Sequence, residues 1–387
     1  MKRSSVNTNI IHSARDIVRQ SLLACISDIG LTAGTHHFVD LWARDSLFAT
    51  FGTNALGASD VSKKTIQTFL RFQRPDGLVP YLVLRSRHTI GKYFGHHAYY
   101  KTPVAHFRSH MSFGIVPDGG LMAVIAAVQY AQISGDMQFL KQEYGRLVAA
   151  FAWYEMRFGN GLVREWFQCE WADALLKFGK TLYTNVLYFR AARDMAVIAE
   201  RLGKVHDAKR YAARAAEVRT QVVSELWTGE YFADWKDWKR QDYFAVHPNM
   251  LAIIFGLATP HQAEMILSTA KGSVWNGWTA ENSVPKYPFW RVPLFHTAIG
   301  MHDYHNGLLW FQPGILYAVA LHTHGDTKQA KIVLTGIAEK IVSSGGAYEV
   351  YERNGHPVQR MVYRSEHPFA WSAGLFVWAC HILEKNL

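Results

Sequence analysis

Five times along the chain a helix-periodic apolar stretch stops at a glycine, and within a few residues an Asp or Thr opens the next one. The turns are Gly57-Ala58-Ser59-Asp60, Gly135-Asp136, Gly203-Lys204-Val205-His206-Asp207, Gly256-Leu257-Ala258-Thr259-Pro260 and Gly325-Asp326. A glycine just past a helix takes the left-handed conformation that ends it, and the Asp or Thr oxygen then satisfies free amides of the next helix. Pro260 suits a first helical position, where its missing N–H is not needed. One turn grammar used five times specifies repeated helical hairpins. The periodicity predicts helix pairs at 44–57 and 60–73, 117–134 and 136–158, 184–203 and 206–227, 246–257 and 260–271, and 306–324 and 326–343. One helix is left at each end, 10–29 and 369–384, and these two can close a ring of twelve.

The loops before 44, 117, 184, 246, 306 and 369 are of the opposite kind, long and rich in Trp, Tyr, His, Asp and Gly. Helices that follow them, such as the one with Asn185-Val186-Leu187-Tyr188-Phe189, are apolar nearly all round, as an inner ring requires. Those after tight turns, such as Ala208-Lys209-Arg210-Tyr211-Ala212-Ala213-Arg214, are amphipathic and belong outside. The expectation is an all-α fold: one (α/α)6 barrel over 1–387, with long loop insertions at 74–116 and 272–305. Short extended pieces fit only in the long loops, and function is expected there, on loops held by a rigid scaffold. Length alone would divide 387 residues into two or three domains. A closed ring is the exception, and a chain 49% hydrophobic and 19% charged has the apolar surface to fill one.

The formal charge of +10 permits nucleic-acid or membrane-surface contact. Arginine-rich runs and nucleic-acid motifs are absent, and no apolar run reaches spanning length, so neither partner is expected. Cys25, Cys169 and Cys380 form no CxxC pair, which reads as reduced thiols in a cytoplasmic protein. No apolar h-region follows Met1-Lys2-Arg3, so no signal peptide is expected.

The first long loop ends in Trp42-Ala43-Arg44-Asp45, which sets an aromatic platform beside a forked donor and an acceptor. Such groups stack on a sugar ring and hold neighbouring hydroxyls, although an isolated Arg–Asp pair at a helix start also serves as cap and salt bridge. Trp-x-Arg-Asp at an inner-helix start resembles the sugar grip of glucoamylases and glycogen-debranching glucosidases. Cys169-Glu170-Trp171-Ala172-Asp173, with Gly179-Lys180-Thr181-Leu182-Tyr183-Thr184-Asn185, resembles the acid-bearing loop of alkaline/neutral invertases, trehalases and processing α-glucosidases. Tyr304-His305-Asn306-Gly307-Leu308-Leu309-Trp310 is similar to an invertase motif. Tyr348-Glu349-Val350-Tyr351 and Phe369-Ala370-Trp371-Ser372-Ala373-Gly374 resemble that group's base-bearing end. The motifs run in the family's order over nearly the whole chain, and they imply an inverting glycoside hydrolase.

By that resemblance Asp173 is the general acid, which needs a raised pKa from an apolar setting or a second carboxylate; Trp166, Phe167 and Trp171 are candidates to provide it. The base is Glu349, which matches a Glu-x-Tyr pattern, with Glu366 the alternative in a trehalase-like arrangement. Glu352 reads as solvated or paired with Arg353. The acid loop precedes the third inner helix and the base loop the sixth, so in a ring of six they face each other. Inversion needs ~6.5–9.5 Å between the carboxyls, room for the attacking water. Asp118 is either a helix cap or a sugar ligand, and Asp76 is a turn residue. Tyr183, Asn185, His305, Asn306, Trp310 and Trp371 complete the expected substrate contacts, with Trp42, Arg44, Asp45 and Trp171.

Residues 77–117 hold Arg85, Arg87, Lys92, Lys101 and Arg108, histidines 88, 96, 97, 106 and 110, and no Asp or Glu. The histidines lack metal-binding spacing, so no metal is expected. Such a stretch is either a solvated lid or a selector for an anionic aglycone. The expected reaction is release of one sugar, glucose first among candidates, from a small α-glycoside without a cofactor. A sugar 2-epimerase on the same barrel and a non-catalytic carbohydrate- or nucleic-acid-binding protein are the rivals.

Overall fold

In a computed structural model, residues 7–87, 91, 96 and 98–384 are described. Among them thirteen helices form: α1 (Thr8–Ala24), α2 (Ala43–Ala55), α3 (Ser59–Arg71), α4 (Asp118–Ser134), α5 (Met137–Phe158), α6 (Leu182–Arg201) and α7 (Val205–Leu226). The rest are α8 (Val246–Ile254), α9 (Pro260–Ser273), α10 (Leu294–Ala298), α11 (Phe311–Thr323), α12 (Thr327–Ser344) and α13 (Ala370–Glu384). The short α10 lies in a loop; the other twelve build the expected (α/α)6 barrel. Helix α2 packs on α4, α4 on α6, α6 on α8, α8 on α11, α11 on α13, and α13 back on α2, which closes the inner ring. Outside it, α3, α5, α7, α9 and α12 lie against their hairpin partners, and α1 packs on α12 and α13. One apolar cluster runs through all of them. No helix among the described residues is long and apolar enough to cross a membrane.

The tight turns form as their chemistry dictates. Gly57, Gly135, Gly203, Gly256 and Gly325 all have φ between 71° and 101°. Asp136 accepts from the Phe139 amide (2.9 Å) and Asp326 from that of Gln329 (3.0 Å). Thr259 and Gln262 form a capping box behind Pro260. Two turns depart from the expectation: Ala58 and Lys204 occupy the cap positions of α3 and α7 without a side-chain bond, and Asp207 instead accepts from the Tyr144 hydroxyl at 2.7 Å.

Two helix limits also differ. The helix expected over 10–29 stops at Ala24, and Ile26–Ser27 turns back on Gly30–Leu31 as a hairpin. The helix expected from 306 begins at Phe311, because Pro313 fits only within the first turn of a helix.

The long connectors are stitched to one another by short antiparallel pairs. Leu41–Trp42 pairs with Leu82–Ser86, and that strand with Tyr99–His106. Lys180–Thr181 pairs with Trp235–Lys236, Phe244–Ala245 with Ser283–Val284, and Leu309–Trp310 with Val350–Tyr351. A bridge from Gly34 to Phe369 ties the first connector to the last. Four of these strands run straight into an inner helix, so the mouth of the barrel is a belt that fixes where the inner helices begin.

Candidate active site

Two cavities open at that mouth. The inner, of about 90 Å³, is lined by Phe38, Trp42, Arg44, Asp45, Trp171, Asp173, Tyr304, His305, Trp310, Glu349, Phe369 and Trp371. The outer, of about 540 Å³, shares Phe38, Trp42, Arg44, Asp45 and Asp173 with it. Asp173 therefore stands where the two meet.

The loop that carries Asp173 is shaped from behind. Lys177 is buried between Glu170 (2.9 Å) and Asp234 (2.8 Å) and lies against the Tyr287 ring. Glu170 also accepts from the Ala172 amide at 3.2 Å, which curls the chain just before Asp173. Just past Asp173, the Ala174 amide donates to His305 Nδ1 at 3.2 Å. Burial holds the His305 pKa far below its usual value, so the ring is neutral and carries its hydrogen on Nε2. The Asp173 side chain is 45% exposed, and what it faces is the cavity. Burial pushes its carboxyl up to about 7; Arg44 opposes the shift, and Glu170 and Glu349 add to it. Asp45, in the first turn of α2, is raised to about 7 by burial as well. Arg44 donates to Asp118 at 2.6 Å.

Glu349 comes from the opposite side of the ring. The Tyr304 hydroxyl donates to its Oε1, the Tyr363 hydroxyl to its Oε2, and the Glu366 amide to Oε2 at 3.2 Å. Burial raises its pKa, while His37 and the two tyrosines counter the rise. Glu366 has another occupation. Its Oε1 accepts from the amides of Thr35 (2.9 Å) and His36 (2.6 Å), and its Oε2 from those of His37 (2.9 Å) and Phe38 (3.3 Å). His37 Nδ1 lies 2.8 Å from Oε2. These donors hold its pKa below the usual value, and it lines neither cavity. Glu366 anchors the loop that carries Phe38.

Of the expected contacts, Trp42, Arg44, Asp45, Trp171, His305, Trp310 and Trp371 line the inner cavity, and Asp118 the outer. Three do not reach either. Asn185 is buried and closes the backbone groups of Val163 and Thr181. Asn306 does the same for Tyr287. Tyr183 lies behind Arg44, its hydroxyl 3.4 Å from Asp118. Trp166 is 57% exposed, and neither it nor Phe167 lines a cavity, so Trp171 alone of the three provides the apolar setting. Asp118 caps nothing; Pro117 holds the cap position of α4. Glu352 pairs with Arg360 (2.8 Å), and Arg353 with Glu281 (2.7 Å).

The basic stretch contributes to the lining of the outer cavity, and among its described residues the arginines are engaged elsewhere. Leu82, Leu84, His106, Ser109, His110, Met111 and Val116 line it. Arg85 reaches Asp28 at 2.7 Å, Arg108 donates to the Phe113 carbonyl at 2.8 Å, and Arg87 lies over Tyr100. His88, Lys92 and His97 fall outside the described residues. Sequence reading missed Phe38, Phe369 and Tyr304, although the last two stand inside motifs already singled out. It also missed His247 on α8, which lies under Trp171 at 4.5 Å between ring centres. Nothing local marks Tyr363. Among the described residues one cluster has ligand atoms at metal spacing, His36, His37 and Glu366 within 4.8 Å. Its carboxylate is already committed to four backbone amides.

Carboxylates brought together from opposite sides of an indole-walled pocket are what cleavage of a sugar–oxygen bond requires, and the class defined by this fold and site is the glycoside hydrolases. Within it, residues 162–372, more than half of the chain, match the mannosylglycerate hydrolase MGH1-like glycoside hydrolase domain, and the chain belongs to that family. This displaces the epimerase and the non-catalytic binder. A GH63 mannosylglycerate hydrolase from Thermus thermophilus in complex with Tris aligns at TM-score 0.69 and 14% identity, over 94% of this chain and 99% of that one. The same hydrolase with Tris and D-glycerate aligns at TM-score 0.69 and 12% identity, over 94% and 99%. A rhamnosidase from Klebsiella oxytoca with rhamnose bound aligns at TM-score 0.70 and 16% identity, over 99% of this chain and 66% of that one. At such identities the likeness is one of fold. No curated protein matches the sequence. The motif resemblance holds at the level of (α/α)6 glycosidases.

Proposed function

We propose that this glycoside hydrolase releases one hexose, glucose first among candidates, from the non-reducing end of a small α-glycoside, with inversion at the anomeric carbon. The observation that carries the reading is the position of Asp173 at the junction of the two cavities, with Glu349 lining the inner one. The inner pocket takes the sugar, the outer takes the leaving group, and the glycosidic oxygen lies beside Asp173. Protonated Asp173 donates to that oxygen as the bond to the anomeric carbon breaks. Glu349, ionised and oriented by the two tyrosine hydroxyls, takes a proton from the water that attacks the opposite face. Among the described residues the Nε1 atoms of Trp42, Trp171 and Trp371 have no hydrogen-bond partner, and they suit sugar hydroxyls. No cofactor enters these steps.

The test has two parts. Proton NMR at early times should show the sugar released as the anomer opposite to that in the substrate; retention sinks the mechanism. Asp173→Asn should slow alkyl glycosides by roughly a hundredfold or more, the usual worth of an acid, while sparing glycosyl fluorides, which leave with little protonation. Equal loss on both substrates removes Asp173 from the acid role.

A further inference from the structure

We infer that Arg360 is a positioning residue for the base: it clamps three loop segments so that the Tyr304 and Tyr363 hydroxyls close on the carboxylate of Glu349. The inference rests on Glu349 as the base, as proposed above. Its first ground is which segments meet at the guanidinium. Nε and Nη2 donate to Glu352 at 2.8 and 2.9 Å, Nη1 and Nη2 to Asp303 at 2.6 and 2.9 Å, and Nη1 to the Gly300 carbonyl at 2.7 Å. All five N–H groups are thereby placed, on two carboxylates held as forks and on one carbonyl. Asp303 immediately precedes Tyr304, Glu352 follows Glu349 by three residues, and Tyr363 follows Arg360 by three. Each segment that meets at Arg360 thus carries one member of the Tyr304–Glu349–Tyr363 set.

The second ground is what the remaining contacts leave undecided. Residues 359–364 form a tight hairpin: Gln359 bridges to Arg364, and the Arg360 amide donates to the Tyr363 carbonyl at 2.7 Å. Its tip, Met361 and Val362, is exposed, so burial does not hold it there. Behind the tip, the rings of Tyr304 and Tyr363 pack against a small cluster of Met301, Leu308, Trp310, Val350 and Val358. Apolar packing has no direction, so it keeps the rings at the site without aiming their hydroxyls, and a hydrogen bond depends on aim. The two hydroxyls lie 3.3 Å apart and each takes one oxygen of Glu349, so a shift of either segment opens the set. By fixing Asp303 against Arg360, the clamp fixes one phenol against the other. A lysine here would keep the charge and lose the fork.

Rates are read on α-glucosyl and α-mannosyl fluorides, which leave with little protonation, so the base step is seen without Asp173. Arg360→Lys and Arg360→Met should each lower kcat about ten- to a hundredfold, the effect of a misplaced catalytic group, with KM within about twofold of wild type. Both phenols lower the Glu349 pKa against the rise from burial. The acid limb of kcat/KM should therefore move to higher pH in these variants, as in Tyr304→Phe and Tyr363→Phe. His37, Asp45 and Asp173 also act on Glu349, and every variant leaves them in place. Asp303→Asn, which weakens one arm of the clamp, should show the same shift to a smaller extent. Added to Tyr304→Phe/Tyr363→Phe, Arg360→Met should cost little more, because its effect passes through the phenols. A wild-type kcat and acid limb in Arg360→Lys overturns the inference, and so does a loss as large in the double phenylalanine background as outside it. Glu349→Gln, measured alongside, tests the base separately. Full turnover there removes the base itself; an inactive Glu349→Gln beside a wild-type Arg360→Lys overturns the clamp alone.

Discussion

Glu349 and Glu366 are both buried carboxylates near the mouth, and their donors divide their roles. Glu349 is held by hydroxyls that leave it facing a cavity; Glu366 is enclosed by amides. Glu349→Gln should therefore lower kcat by roughly a thousandfold or more, the loss of a base, with Tm little changed. Glu366→Gln should chiefly cost stability, about 2–4 kcal/mol, because its new NH₂ would face the amides of His37 and Phe38. The Glu366 pKa is depressed in the folded state, so its contribution is present above the unfolded value and fades as pH falls through the folded one. Urea titrations at several pH values should show that acid-side loss in wild type and not in the variant. If Glu366→Gln abolishes turnover at full stability, the base is Glu366. The rate profile has its own sign. In the proposed mechanism Asp173 acts protonated, so kcat/KM should fall as pH rises through about 7, and Glu349 acts ionised, so it should also fall on the acid side. With both groups raised, the optimum lies at higher pH than it would for two ordinary carboxylates.

Among the elements, closeness of packing decides what a substitution does. Inner helices α2 and α13, first and last of the ring, cross at glycines. A Cβ on Gly374 would lie 2.6 Å from Ala49 Cα, and one on Gly52 would lie 2.5 Å from Gly374 Cα. Both neighbours are backbone and cannot turn aside. Gly374→Ala should destabilise by about 1–3 kcal/mol despite the better helix propensity of alanine. Gly145 in α5 is exposed with nothing within 4 Å of a new Cβ, so there Gly→Ala should stabilise by about 0.5–1 kcal/mol. The two variants should move the urea midpoint in opposite directions; a shared sign would show that propensity, not helix approach, governs the ring. The same distinction separates what was legible in the sequence from what was not. Turns such as Gly135-Asp136 are written in consecutive residues, so their helices could be located. The strand stitches are mostly two residues long and carry no period. Glu366 takes its donors from residues some 330 positions away, and nothing near it in sequence says so. Asn185 and Asn306 illustrate a further limit: an amide that closes a neighbouring segment's backbone has the same local signature as one that holds a sugar.

For the molecule as a whole, closure of the ring comes from packing between α13 and α2 rather than from any continuity of the chain. Helices α1 and α13 lie together, with Arg15 bonded to Glu384 at 2.9 Å. Asn7 precedes Arg15 by eight residues, about 12 Å along the helix, so a Gly/Ser linker of about ten residues can join Glu384 to Asn7. New ends can then be opened between Gly203 and Lys204, in the turn joining α6 and α7. That turn is exposed or half-buried, and a Cβ on Gly203 would touch nothing within 4 Å. It belongs to the end of the barrel opposite the stitched belt, so neither ring contacts nor the site should notice the cut. Such a permutant should unfold within a few degrees of the parent and keep its kcat/KM. A second permutant, opened between Phe167 and Gln168, leaves the twelve helices whole but frees the loop that sets Asp173. It should keep the helical circular dichroism and lose turnover. If the first permutant fails to fold, chain order and not packing closes the ring; if the second stays active, the loop does not need the anchorage that Lys177 and Glu170 give it.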